Sequence, residues 1–365
     1  MPMPIDFLYI KFILWVLVGG LLVSKLSTRV HIDVLGNKRE RWSVSATLIF
    51  VLPLIYWCAT RDRGYGDTWA YYQDFLKAPE TLSGVIPFAQ SYPKDHWFFG
   101  FLAIGKAIFG TNEDYTFGLI ACIQLLILAF VYRKYSRNLW LSIFLFVAST
   151  DYTAWMFNGM RQFLAAAIGF AALPFIVKKR FVPAVLFILL ASRFHQSAIL
   201  LLPAIFIVQG KAWNKRTLLV ALAAVVAVYF IDEFTGFLDN ALQDTQYQNV
   251  VTDWKEGRDD GTNFLRVMVY SVPTILAFIF RKKLTDVDSP LIHLCVNMSV
   301  VSAGIYLISM FTSGILIGRL PIYFSLYNYI LLPWEIHHFF KKESRFIVTL
   351  CTVGFYLLFF IYSYM

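Results

Sequence analysis

The chain has 365 residues, 58% hydrophobic and 15% charged, with a mean hydropathy of +0.61. A soluble domain carries about 25% charged residues, so the composition argues against an ordinary soluble enzyme and for roughly ten to twelve spanning helices of ~20 residues each. The formal net charge of +9 sits mostly in clusters between apolar runs, which ties it to topology and anionic-lipid contact rather than to nucleic acid.

Apolar runs follow one another at about 7–24, 43–59, 115–132, 139–157, 160–177, 181–208, 217–231, 264–280, 291–311, 320–336 and 346–364. The first lacks the preceding basic cluster and the cleavage site of a leader peptide, and is read as a span. Basic clusters at 25–41, 133–137, 178–180, 211–216, 281–283 and 341–345 hold 20 of the 32 Lys and Arg. The positive-inside rule places all six in the cytoplasm. Loops 60–96 and 232–263 then lie outside, the second carrying eight Asp or Glu against Lys255 and Arg258.

The expected fold is an all-α polytopic transmembrane bundle, one membrane domain over 1–365, with short interfacial helices in its outward loops. The run 97–110 is too short to span and is expected to lie in the outer interface or re-enter. The long run 181–208 must start and finish inside. It is read as two half-length helices with Arg193-Phe194-His195-Gln196 at the tip. Cys58, Cys122, Cys295 and Cys351 lie in apolar runs without metal spacing, and packing is the better reading of all four.

Six arginines lie outside the basic clusters, at or inside the outer ends of apolar segments: Arg61, Arg63, Arg161, Arg193, Arg266 and Arg319. A charge in a span costs ~2.5–3.5 kcal/mol even on the lenient insertion scale. Guanidinium suits planar, bidentate recognition of phosphate. Each arginine taken alone could instead snorkel to headgroups or pair with an Asp; the set, from separate segments facing one side, suggests a lipid-linked phosphate or diphosphate.

Asn158, Arg161 and Gln162 share a helical face at the outer start of the run 160–177. Asp151, in the outer half of the preceding helix, is a candidate ion-pair partner for Arg161. His195 lies roughly 20 Å along the helix from the cytoplasmic Arg180. Its pKa suits proton transfer, the alternative being a neutral histidine hydrogen-bonded across the bundle. If Thr68 onward is helical, Asp67, Tyr71 and Asp74 share a face, and aromatics among carboxylates suit sugar binding. Arg319 and Tyr323, four apart, open a late helix from the outside. Asn263 and Arg266 open the helix after the acidic loop. His337 and His338 read as an interfacial patch without chemistry.

Four ordered motifs carry a resemblance: Arg63-x-x-Gly66-Asp67-Thr68-x-x-Tyr71 with Phe75 and the upstream Arg61; Asn158-x-x-Arg161-Gln162; Phe194-His195-x-Ser197-Ala198 followed by Pro203; and Arg319 with Tyr323-Phe324 and Pro333. Together they resemble the EpsG-type branch of the Wzy-like bacterial polysaccharide polymerases, over about 10–340. One departure is the Gly-Tyr-Gly-Asp-Thr form, where the family more often shows Gly-Thr-Asp.

The resemblance implies a glycosyltransferase on the outer face of the cytoplasmic membrane. It would join undecaprenyl-diphosphate-linked oligosaccharide repeats into O-antigen, capsule or exopolysaccharide, without nucleotide sugar or cofactor. Candidate catalytic residues are His195, Asp67 and Arg161, with the roles of His195 and Asp67 interchangeable. Candidate substrate-binding residues are Arg61, Arg63, Tyr71, Asn158, Gln162, Arg193, Gln196, Arg266, Arg319 and Tyr323. No metal site is expected, although Asp259-Asp260 keeps a metal-dependent mechanism open. Implied partners are the lipid-linked glycan as donor and acceptor, membrane lipids, a flippase and a chain-length regulator. Competing readings are a transporter or flippase of lipid-linked sugars, an integral membrane acyltransferase and a structural subunit of a secretion complex.

Overall fold

Long apolar runs leave the backbone one economical solution in lipid, the helix, in which every amide is satisfied within its own segment. A computed structural model describes residues 7–26, 28–32, 38–231, 233–235 and 261–364. It is a helical membrane protein. The helices group into two compact units, one formed by 1–202 with 351–365 and the other by 203–350.

The first unit begins with α1 (Phe7–Leu14), a π-helical turn (Trp15–Gly19) and α2 (Gly20–Leu26). A two-stranded antiparallel hairpin follows, β1 (Thr28–Ile32) paired with β2 (Lys38–Trp42). This hairpin was not expected; it folds from the basic cluster, where charge excludes a span. Next come α3 (Val44–Ala59), α4 (Thr68–Lys77), α5 (Val85–Gln90), α6 (His96–Phe109) and α7 (Glu113–Tyr135). Then α8 (Leu139–Ala148) and a π-helix (Tyr152–Asn158) lead into α9 (Met160–Ala171), α10 (Leu173–Val177), α11 (Phe181–Phe194), a 3-10 turn (Gln196–Leu200) and α12 (Leu201–Ile207).

Helix α3 packs on α7, α7 on α9, and α9 on α11. Phe50, Phe75, Phe98, Phe117, Phe144, Phe146, Phe163, Tyr132 and Tyr152 are fully buried among them. Small residues bring the chain close where the run after α11 crosses α9: a Cβ on Gly169 would meet Leu201 Cδ1 at 2.6 Å.

The second unit holds α13 (Lys215–Tyr229), α14 (Phe264–Ile279), α15 (Arg281–Leu284), α16 (Pro290–Met310), α17 (Ile322–Ser325) and α18 (Asn328–Phe339). Helix α16 packs against α13, α14 and α18. Asn297 of α16 ties down the loop that leads into α13, donating from Nδ2 to the carbonyls of Val208 at 2.9 Å and Lys211 at 3.1 Å. The last helix, α19 (Lys342–Tyr364), ends in the first unit, where Tyr364 stacks on Tyr9 with ring centroids 3.9 Å apart.

Among the described residues four helices are long and apolar enough to cross a membrane: Glu113–Tyr135, Met160–Val177, Pro290–Met310 and Lys342–Tyr364. The count is five if the pair Leu139–Ala148 and Tyr152–Asn158, bent by 71°, is taken as one broken span. That is fewer than the ten to twelve spans expected: the runs 43–59, 181–208 and 264–280 fold as shorter apolar helices of 10–17 residues, and 7–24 and 320–336 are broken into shorter pieces. The bend has a local cause: Thr150 between the two pieces takes a left-handed φ of 72°, which no helix interior accommodates. The run 181–208 breaks at His195, whose backbone is extended with φ −154° and ψ 121°, as the two-half-helix reading anticipated. The run 97–110 forms the 14-residue α6, too short for a full span.

Candidate functional site

The segment after α3 is pinned to the end of the π-helix. Gly66 adopts φ +51°, and a Cβ there would collide with Asn158 Oδ1, so this turn requires glycine on both counts. Asn158 Oδ1 accepts from the Asp67 N–H at 2.6 Å, and Thr68 Oγ1 donates to the Phe157 carbonyl at 3.3 Å. Helix α4 therefore starts at a fixed point, with the Asp67 carboxylate exposed at its N-terminus.

Helix α4 turns Tyr71 inward, 7% exposed, with its ring edge-on to Phe98. Its phenol reaches Arg161 in the first turn of α9, and Asp67 is a further electrostatic neighbour. Burial pushes the Tyr71 phenol above its ordinary pKa, so it stays neutral and acts as a hydrogen-bonding group.

Asp95 holds the other side of Arg161. Its carboxylate is 1% exposed, with Oδ2 3.3 Å from Arg161 Nη1, while Arg161 keeps 28% of its side-chain surface exposed. Asp95 Oδ1 accepts from the Gln196 backbone N–H at 3.3 Å. One carboxylate thus ties the Asn158–Gln162 motif to the helix break at His195. Asp95 also sits in the left-handed region at φ 56°, an arrangement Asp tolerates better than most residues. Burial raises its pKa, opposed by the charges of Arg161 and Lys94. The arginine plane lies over Phe99, 5.4 Å from the ring centroid. Phe99 in turn stacks on Tyr92 at 3.4 Å, and Tyr92 donates to Asp74 Oδ1 at 2.9 Å.

His195 follows the last residue of α11 and immediately precedes Gln196, whose backbone N–H holds Asp95. Its Nδ1 pairs with Ser197 Oγ at 2.7 Å. Phe194 beside it packs edge-on against Trp97 and Phe101 of α6, which locates the break. Arg193 and Gln196 are exposed, and Gln162 is buried at 6%.

The other sequence candidates are placed differently. Arg61 is 6% exposed and turned into the interior. Its Nη1 donates to the carbonyls of Cys58 at 3.1 Å and Met156 at 3.0 Å, and its plane lies over Phe117. Arg63 is exposed, bound to Glu113 at 2.6 Å and stacked over Tyr72. The Asp151–Arg161 pair considered from sequence is not what forms: Arg161 pairs with Asp95, and Asp151 accepts from Trp155 Nε1 at 3.2 Å. In the second unit Asn263 caps α14, accepting from the Leu265 N–H at 2.8 Å, and Arg266 is half-buried in the first turn of that helix. Arg319 ends a 3-10 turn (Ile317–Arg319) and is also half-buried, while Tyr323 is 2% exposed. No group of three His, Cys, Asp or Glu able to hold a metal occurs among the described residues, and Asp259 and Asp260 lie outside them.

Arg161, Tyr71, Asn158 and the Gln196 backbone are brought together, with Asp67 and His195 at the margins. Asp95 was not singled out from sequence. Its one signal was its place, a carboxylate immediately before an apolar helix with no helix-internal partner. Chemically, the arrangement offers a guanidinium fixed on one side and open on another, beside a histidine and a carboxylate. That combination suits an anionic leaving group and a hydroxyl nucleophile.

A family model described as the EpsG family matches residues 46–365. No curated protein and no solved structure matches the chain.

Proposed function

Because this chain belongs to the EpsG family, a Wzy-like polymerase-type family of exopolysaccharide assembly, we propose that it polymerises undecaprenyl-diphosphate-linked oligosaccharide repeats on the outer face of the cytoplasmic membrane. The observation that carries this reading is Arg161, braced by Asp95 and Tyr71 one helix break away from His195.

In the proposed reaction the acceptor sugar hydroxyl attacks the anomeric carbon of the donor. The hydroxyl proton passes to His195, or to Asp67 if their roles are exchanged. The new glycosidic C–O bond forms as the bond from the anomeric carbon to the diphosphate oxygen breaks, and undecaprenyl diphosphate leaves with the electron pair. Negative charge develops on that oxygen, where a pre-positioned guanidinium stabilises the transition state more than the ground state. Arg161 takes this role, with the exposed Arg193 as a second cation. Asp67, Tyr71, Asn158 and Gln196 are proposed to place the sugars. Arg266, Arg319 and Tyr323, in the other unit, remain candidates for phosphate or sugar contact on their own account. Neither cofactor nor nucleotide sugar enters this scheme. A flippase would deliver the substrate and a chain-length regulator would limit the product.

Deleting the gene and sizing the surface polysaccharide tests the proposal. Loss of a polymerase leaves single repeats at the surface. Loss of a flippase leaves none there, and loss of an acyltransferase leaves full-length chains lacking acyl groups.

A further inference from the structure

At the opposite end of α3 from Arg61, about 24 Å away at 1.5 Å per helical residue, the first unit contains a cavity of about 520 Å³. Among the described residues it is lined by Lys25, Arg137, Trp42, Trp140, Ser24 and Leu21, with Asn138 and Leu139, and no carboxylate is among these. Its aromatic walls are pinned. Trp140 Nε1 donates to the Val16 carbonyl at 2.7 Å, and the Trp42 carbonyl accepts from Arg133 Nε at 2.7 Å. Lys25 is exposed and makes no hydrogen bond or ion pair among the described residues. Arg41, next to Trp42 in the chain, and Arg133 are electrostatic neighbours of like sign.

We propose that this cavity binds the phosphate of an anionic membrane phospholipid, at the membrane face opposite the Arg161 site. Lys25 and Arg137 supply the charge. The two indoles suit the headgroup level of a bilayer, where amphipathic rings concentrate. A lipid is favoured over a free phosphate by what adjoins the cavity. Leu21 in its wall continues a row of exposed apolar side chains along α1, the π-helical turn and α2: Ile10, Leu14, Val18 and Leu22. An acyl chain attached to a phosphate in the cavity has an apolar surface to lie along; inorganic phosphate gains nothing from it. The site is independent of the proposed polymerisation chemistry.

The test uses the full-length purified protein and native mass spectrometry, titrating phosphatidylglycerol and, separately, phosphatidylcholine. The wild type should retain a phosphatidylglycerol adduct in preference to phosphatidylcholine. The double variant Lys25→Gln/Arg137→Gln should bind it about 30-fold more weakly, at roughly fivefold per basic residue. The single variant Lys25→Gln changes only an exposed side chain, so it folds and should lose about fivefold. Equal binding of the two lipids by the wild type, or unchanged phosphatidylglycerol affinity in both variants, overturns the proposal. So does displacement of the lipid by inorganic phosphate at equal concentration.

Discussion

Replacing Asp95 by Asn removes one charge and almost no volume. Asn still offers an oxygen to the Gln196 N–H and tolerates the left-handed backbone at φ 56°, so the effect concentrates on Arg161. Breaking a fully buried ion pair costs about 3–5 kcal/mol. Asp95 is 1% exposed but Arg161 is 28% exposed and partly solvated, which reduces the coupling between the two charges to about 1–2 kcal/mol; Asn also removes the burial cost of the carboxylate, so the loss falls on the orientation of Arg161 rather than on folding stability. If that energy orients the guanidinium toward the leaving diphosphate, kcat falls about 5- to 30-fold with little change in KM.

The pH dependence sharpens the test. Burial raises the Asp95 carboxyl above its ordinary pKa of 3.8. Its contribution to stability is therefore fully present at low pH and is lost as pH rises through the folded-state value. Activity should run the other way, because only the ionised carboxylate holds Arg161. Asp95→Asn should flatten both slopes. The assays are polymer formation from lipid-linked repeats and thermal unfolding of the purified protein, each across the acid range. An Asn variant with the wild-type kcat and acid limb would refute the link from Asp95 through Arg161 to the reaction.

His195→Gln should insert and fold normally yet lose about 10²–10⁴-fold in rate, the range for general acid–base catalysis, since an amide cannot take the acceptor's proton; wild-type polymer yield across pH 5–8 would make His195 structural and Asp67 the leading base. Arg161→Lys should abolish most polymerisation while leaving membrane insertion intact, because lysine keeps the charge without the planar fork, and gel sizing of the product reads the outcome. Glu335 in the second unit is 0% exposed, and neither carboxylate oxygen has a hydrogen-bond partner among the described residues; Glu335→Gln should therefore leave thermal stability unchanged or raise it, and a large fall in Tm would reveal a bond that the carboxylate makes and the amide cannot.

Legibility from sequence followed the range of the interactions. The helical membrane class, the helix within 68–77 and the break at His195 are local: each follows from composition, periodicity or a polar group placed in an apolar run. The family was readable because its motifs fall in order along the chain. Long-range events were less visible. Arg61 and Arg63 are two residues apart, yet one donates to a backbone carbonyl 95 residues away while the other pairs with a glutamate 50 residues away. Their shared residue type says nothing of that division. Asp95 lies 66 residues from Arg161 and 101 from Gln196, so its role emerges only once α6 is docked against α11. The bend at Thr150 escaped notice because 139–157 is apolar enough to read as one helix, and the strain that breaks it lies in a single backbone angle.

Reconstitution tests the central claim most directly. Purified protein in liposomes is given undecaprenyl-diphosphate-linked repeat units with no nucleotide sugar present, and the products are resolved by size. The account predicts a ladder of lipid-linked chains at increments of one repeat, with undecaprenyl diphosphate released in step, and its loss in Arg161→Lys. Repeat units that remain single in the presence of folded wild-type protein would contradict it.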